Sequence, residues 1–125
     1  MSLEGTEKAV TREIDFSRFL LFDGGMGTML QTQGLKTGEL PESYNLLHPE
    51  IIEHIHGGYL AAGADIITTN TFGANRYKLS QYGYNVDEIV TGAVQIARRA
   101  AKEKLVALDI GPSGQLMQPY GTLSF

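Results

Sequence analysis

Cysteine is absent from the sequence. Its absence excludes a disulfide framework, and it excludes every metal site built on thiolates within these 125 residues. An excess of basic charge is absent as well, because 10 Lys and Arg face 14 Asp and Glu and give a net charge of −4. A basic surface for nucleic acid is therefore not expected. Apolar runs are also shorter than the roughly 18 residues that a membrane helix requires, so we expect no membrane partner.

The chain has the length of a single domain. Its first residues, 1–5 (MSLEG), contain neither the charged nor the apolar segment of a secretory signal, and we interpret them as a cloning leader. Residues 6–125 are then the folded part, and a cytoplasmic location is the default expectation.

Three short apolar runs, each ending in a polar residue or followed closely by glycine, organise the sequence. They are FLLFD (19–23), DIITTN (65–70) and KLVALDI (104–110). Nearly continuous apolar runs, in place of alternating ones, are typical of parallel strands that are covered on both faces. The sequence therefore predicts three buried parallel strands.

Two helices are predicted between these strands. Residues 86–104 place apolar side chains at helical spacing, with acidic residues in the first turn and lysines in the last. A second helix begins at Pro49 and stops at Gly63. Residues 34–47 and 80–85 are predicted to be irregular. The resulting βαβαβ series has long crossovers, which require parallel pairing and predict an α/β fold.

Polar side chains and glycines follow each predicted strand. Ligands of parallel α/β proteins bind beyond the carboxyl ends of the strands, and glycine lets a ligand approach the main chain. A carboxylate beside backbone N–H groups suits a zwitterion, since the acid accepts from an ammonium and the amides donate to a carboxylate. This pattern predicts an amino-acid ligand. The candidate binding residues are Asp23, Gly24, Gly25, Asn70, Thr71, Phe72 and Asp109.

Simpler interpretations of the same residues remain open. Asp23 is also a favoured N-cap for a following helix, and Asp109 could bond to nearby backbone N–H groups. The N–H groups of residues 25–28 could instead bind a nucleotide phosphate at a helix start.

Two other kinds of site are disfavoured. His54 and His56 lie about 200° apart around a helix and His48 precedes that helix, so the three cannot share a metal ion. The second disfavoured site is a dinucleotide-binding site. The glycine spacing in GGMGTML does not complete the G-x-G-x-x-G fingerprint, and the next strand ends too far along the chain to supply the ribose-binding acid.

Three segments, in this order, resemble the homocysteine S-methyltransferase family, and most closely its cobalamin-dependent branch. They lie at residues 22–31, 40–79 and 97–123, and the motifs DGGMGT, TNTFGAN and DIGPSG carry most of the likeness. The resemblance covers nearly everything from Phe19 to Leu123.

The resemblance implies a (β/α)8 TIM barrel that binds homocysteine at the carboxyl face of its strands and transfers a methyl group to the homocysteine thiolate. It implies zinc as the activator of the thiol and cobalamin as the methyl carrier, with betaine and S-methylmethionine open as other donors. It places Asp23, Gly24 and Gly25 in the amino-acid clamp, and Asn70, Thr71, Phe72 and Asp109 at the same mouth. The family's zinc ligands are cysteines, so we expect neither metal nor cobalamin on this chain, and no catalytic residue within it.

A complete barrel needs about 250 residues. We therefore expect residues 6–125 to be the amino-terminal half of a homocysteine-binding barrel, an incomplete set of its first three strand units. Such a piece of a methyltransferase should be inactive alone, and its open strand edges should lead it to self-associate or to contact the missing half. The alternative is a non-catalytic α/β module that binds an amino acid or self-assembles.

Overall fold

The structure, a computed structural model, describes residues 13–125. The leader assigned to residues 1–5 lies outside the described residues. In chain order the elements are α1 (Gly27–Thr32), a 3₁₀-helix (Pro41–Ser43), α2 (Tyr44–Leu47), α3 (Pro49–Ala61), β1 (Ile66–Thr68), α4 (Arg76–Gln81), α5 (Val86–Ala101) and β2 (Leu105–Ala107). Within this described range, none of the helices has the length and apolar character needed to cross a membrane.

Strands β1 and β2 pair in parallel and form a two-stranded sheet. Ile66 lies beside Leu105, and Thr68 lies beside Ala107. Helices α4 and α5 make the long crossover that parallel pairing requires. The prediction of an α/β fold with parallel strands is confirmed, although both strands are shorter than the predicted 65–70 and 104–110.

The predicted first strand, FLLFD, is only a fragment of a strand. Phe22 forms one parallel bridge with Ile66. On either side of the bridge, Asp23 N donates to Ile66 O at 3.0 Å and Ile66 N donates to Leu21 O at 3.1 Å. The prediction of a regular strand buried on both faces is wrong here, because Phe19 and Phe22 are 95% and 62% exposed and no described layer covers them.

The two long helices follow the prediction closely. Helix α3 begins at Pro49, and Gly63, with a φ of 109°, follows its end. Helix α5 begins after Asn85, whose side chain accepts hydrogen bonds from two N–H groups of the first turn. The predicted end of this helix at residue 104 is wrong. The helix ends at Ala101, because Lys102 adopts a positive φ of 51°.

The segment predicted to be irregular at residues 34–47 contains the 3₁₀-helix and α2, so that prediction is wrong in part. Glu42, Ser43, Tyr44 and Asn45 are all buried there. A segment this short shows too little periodicity to reveal a helix, and its conformation depends on contacts made far along the chain. Helix α4 is unpredicted for the same reason.

Asp65 joins the starts of the strands. Its N–H donates to Leu21 O at 2.8 Å, and its carboxylate accepts from Leu21 N at 3.0 Å. Arg18 and Lys104 pair with the same carboxylate at 3.3 and 3.4 Å. The hydrogen bond from Leu21, aided by the charge of Arg18, lowers the pKa of Asp65. One side chain thus holds the partial first strand against β1 and β2.

The core consists of apolar clusters between the helices and the sheet. Helices α1, α2, α3 and α5 meet in the first, the sheet packs on α5 in the second, and α4 packs on the start of α5 in the third. Their buried members are Leu30, Tyr44, Ile52, Ile55 and Ile96; Ala64, Ile67, Ala97 and Ala101; and Leu40, Leu79 and Ile89. The core therefore lies on one side of the sheet, and the strand ends remain open.

Beyond the strand ends, the chain passes very close to itself at Gly111. A Cβ placed on this residue would lie 2.1 Å from Phe72 O, a backbone atom that cannot move aside freely. Gly111→Ala should therefore lower the free energy of unfolding by about 2 kcal/mol or more, toward the upper end of the cost of adding a methyl group to a packed site. Urea unfolding followed by circular dichroism measures the change.

Gly57→Ala is the matched control, because a Cβ at that position in α3 would meet nothing within 4 Å. It should stabilise the helix by roughly 0.5–1 kcal/mol. Equal stability of the two variants would show that the approach of Gly111 to Phe72 is not a constraint on this fold.

Candidate functional site

The segments that follow the three strand positions converge on one cavity. Its volume is about 370 Å³. The 3₁₀-helix forms an additional wall that lies outside the predicted strand ends. The lining residues are Asp23, Gly24, Gly25, Met26, Gly27, Pro41, Glu42, Thr68, Thr69, Asn70, Thr71, Phe72, Lys78 and Asp109. All seven residues predicted for the site are among them.

Asp23 is held in place by the end of β1. Its Oδ2 accepts from Thr68 N at 2.9 Å, and its Oδ1 accepts from Thr68 Oγ1 at 2.8 Å. The alternative role as a helix cap does not apply, because the residue preceding α1 is Met26 and no side chain caps that helix. A carboxylate can accept about four hydrogen bonds, so each oxygen of Asp23 retains capacity for a ligand.

The glycines after Asp23 make room for a helix as well as for the cavity. A Cβ on Gly24 would lie 2.9 Å from the ring of Tyr59, a residue of α3. The hydroxyl of Tyr59 donates to Gly25 O at 2.8 Å. This contact with Tyr59 has no counterpart in the sequence-based expectation, in which Gly24 and Gly25 only let a ligand approach the main chain.

Asn70 uses its amide to assemble the wall of the cavity. Its Nδ2 donates to Pro41 O at 2.9 Å and to Asn45 Oδ1 at 3.0 Å. Asn45 Nδ2 returns a hydrogen bond to Asn70 O at 2.8 Å. This reciprocal pair fastens the 3₁₀-helix and α2 to the end of β1, so the two walls of the cavity keep a fixed spacing.

Threonine hydroxyls connect the ends of β1 and β2. Thr71 Oγ1 donates to Asp109 O at 2.7 Å, and Asp109 N donates to Thr69 Oγ1 at 3.1 Å. Only the backbone of Asp109 takes part, and its carboxylate has no hydrogen-bond partner among residues 13–125. The alternative of an acid that stabilises its own loop is therefore not what this side chain does. Phe72 is 60% exposed and forms part of the cavity wall.

Sequence reasoning missed Glu42 and Lys78, which also line the cavity. Glu42 precedes β1 by more than 20 residues and Lys78 follows it, within α4. Neither residue follows a strand, so the rule that places ligands at strand ends does not find them. The only sequence signal for Glu42 is its position after Pro41 at the start of a short helix.

Histidine plays a structural part in the neighbouring helix. His56 of α3 is fully buried, and neither ring nitrogen has a hydrogen-bond partner in the described structure. Burial lowers the pKa of His56, while the charges of Asp23 and Glu53 act in the opposite direction. Between residues 13 and 125 there is no group of three or more His, Asp or Glu side chains that could hold a metal ion.

In parallel α/β folds, small molecules commonly bind in a cavity at the carboxyl ends of the strands, and the cavity around Asp23 has this position. The sequence profile of the homocysteine S-methyltransferase family matches residues 20–125. The chain belongs to this family.

Relatives of known identity agree with this assignment. The methionine synthases of Mycobacterium tuberculosis and Mycobacterium leprae are each 36% identical to the chain over 94 residues, which is 69% of this chain and 8% of theirs. The metallated form of the homocysteine methyltransferase MmuM from Escherichia coli superimposes with a TM-score of 0.69 at 26% identity, over 78% of this chain and 40% of that one. The chain thus spans less than half the length of each of these relatives.

The burial of His56 makes stability depend on pH in a defined direction. Because folding lowers its pKa below the ordinary value of 6.5, the unfolded chain takes up a proton first as the pH falls. The free energy of unfolding should therefore decrease as the pH drops through about 6.5 and continue to fall until the folded state is also protonated. His56→Phe, which replaces the imidazole with an aromatic ring that does not titrate, should remove this part of the pH dependence.

Urea unfolding at pH 8 and pH 5 measures the effect, and His54→Gln on the exposed side of the same helix is the control that should behave like the parent chain. If the His56→Phe variant loses as much stability between the two pH values as the parent chain does, the burial of a neutral imidazole is not responsible.

Proposed function

We propose that this chain is the amino-terminal part of a homocysteine S-methyltransferase barrel and that its cavity binds the amino-acid portion of homocysteine. The observation that carries the proposal is the meeting of Asp23, Asp109 and the Asn70–Phe72 segment around one cavity, in a chain whose family is defined by this substrate. The cytoplasm is the compartment we propose for the protein.

In this proposal the chain's own residues bind and orient the substrate. Asp23, aligned by Thr68, accepts a hydrogen bond from the substrate ammonium. The backbone N–H groups after Asp23 face the substrate carboxylate, as expected for a glycine-rich turn beside a ligand. Phe72 shields one side of the cavity from water, and Asp109 lies across it on the end of β2. These contacts fix the orientation of the bound substrate, so that its side chain and sulfur point out of the cavity.

The residues present do not fit the zinc ion that the family resemblance implies. The sequence has no cysteine, and the described residues contain no cluster of other metal ligands. When bound, zinc would supply the homocysteine thiolate, since a free thiol with a pKa near 8.5 is mostly protonated at neutral pH. We propose that zinc and cobalamin are held elsewhere in the full-length protein and that these 125 residues alone show no turnover.

Asp23→Asn tests the proposal in the full-length protein. The substitution keeps the shape but removes the charge, so the affinity for L-homocysteine should fall roughly tenfold to a hundredfold, the cost of a lost hydrogen bond to a charged group. Thr68→Val, which removes only the hydroxyl that aligns Asp23, should reduce affinity by a smaller factor. Isothermal titration calorimetry measures both. Unchanged affinity in a folded Asp23→Asn protein would contradict the proposed role of the cavity.

A second candidate function is self-assembly through the open side of the sheet. Large apolar side chains are exposed on the partial first strand and after β2, and unpaired strand edges favour association. They are Phe19, Leu21, Phe22, Leu108 and Ile110. Sedimentation of the 125-residue chain should then show a defined oligomer that Phe22→Glu dissociates. A monomer at micromolar concentration would exclude this function.

A further inference from the structure

Glu42 is a buried acid with unused capacity. It is 3% exposed, and its Oε1 accepts from Gly73 N at 2.6 Å. Its Oε2 is buried and has no hydrogen-bond partner among the described residues. A buried carboxylate oxygen without a hydrogen-bond donor costs free energy of folding. A ligand that donates a hydrogen bond to Glu42 Oε2 would remove this cost.

Lys78 lies on the same side of the cavity as this acid. On Gly73, a Cβ would lie 2.6 Å from Lys78 Nζ and 2.8 Å from Glu42 Oε1, so the two charged groups flank the same residue. They form no ion pair, and within residues 13–125 the Lys78 ammonium makes no hydrogen bond. The backbone at Lys78 is fixed, because its N–H donates to Asn75 Oδ1 at 2.9 Å.

We propose that Glu42 and Lys78 form a charge pair that grips the zwitterionic end of the amino-acid substrate, an inference that rests on the proposed function of the cavity. Glu42 Oε2 accepts from the substrate ammonium, and Lys78 Nζ donates to the substrate carboxylate. Both residues line the same cavity as Asp23. Each group thereby obtains the partner that it lacks within the described protein.

The juxtaposition of opposite charges selects the class of ligand. A simple anion is attracted by Lys78 but repelled by Glu42, and a simple cation meets the reverse, whereas an α-amino acid presents both charges on adjacent carbons. Asp109 does not need a ligand donor in the same way, because the residue is only partly buried and water can solvate its carboxylate. Asp23 can also accept from the ammonium, but each of its oxygens already has one hydrogen bond from Thr68. Glu42 Oε2 is the cavity acceptor that burial leaves most in need of a donor.

The test uses substrate analogues that each lack one charge. In the full-length protein, Glu42→Gln should weaken L-homocysteine at least tenfold in calorimetric titration, yet change the affinity for γ-mercaptobutyrate, which has no ammonium, by less than about twofold. Lys78→Met should weaken L-homocysteine similarly but leave homocysteamine, which has no carboxylate, nearly unaffected. Glu53→Gln and Lys36→Met are matched controls outside the cavity and should bind all three compounds like the parent protein.

The outcomes separate this inference from the proposed function. If the parent protein binds no L-homocysteine, the proposed function fails and the charge pair fails with it. If the parent binds L-homocysteine but Glu42→Gln weakens all three compounds equally, Glu42 only supports the turn at Gly73 and the inference is overturned. Should Glu42→Gln fail to fold, the Lys78→Met profile decides, because equal weakening of homocysteine and homocysteamine contradicts the pair.

Discussion

The two hydrogen bonds between Asp23 and Thr68 are the interaction on which the site depends. They come from one residue's N–H and hydroxyl and reach both oxygens of one carboxylate, at 2.9 and 2.8 Å. The segment that carries Asp23 has only one bridge to β1, so its backbone alone would leave the acid poorly positioned. The side chain of Asp23 therefore replaces the backbone hydrogen bonds that a longer strand would make with β1. It keeps the segment after Phe22 aligned with the end of β1 at the cavity.

Close backbone approach is a second constraint, and it explains glycines that a ligand alone does not. Gly24 admits the ring of Tyr59, and Gly111 passes against Phe72 O. Both contacts lie at strand ends, where α3 and the turn after β1 close on the cavity. Residues that appear in the sequence as a flexible, ligand-facing turn are also packing positions, and a methyl group at either one displaces the cavity wall.

The sequence predicted the parts of this protein that obey a local rule. Helix α3 has Pro49 at its start, α5 has continuous helical spacing, and all seven strand-end residues meet at the cavity. Glu42 lies beyond such rules, because hydrogen bonds between residues far apart in the chain bring the 3₁₀-helix to the site, from Asn70 Nδ2 to Pro41 O and from Gly73 N to Glu42 Oε1. Lys78 lies beyond them because it belongs to α4, which no local pattern predicts. The exposure of Phe19 could not be predicted either. An apolar run indicates that a strand is suited to burial, but it does not show that helices or strands cover both of its faces.

The charge balance of the cavity argues against the phosphate interpretation of residues 25–28. Three carboxylates, those of Asp23, Glu42 and Asp109, line it together with one ammonium. A phosphate with a charge near −2 would add to this negative excess at short range, and the repulsion would exceed what one lysine and a short helix end return. A zwitterion adds no net charge, and its ammonium is drawn toward the carboxylates. The same excess of negative charge limits which residues the cavity wall can carry. A further acid beside Glu42 would find no hydrogen-bond donor, because Glu42 Oε2 itself has none among the described residues.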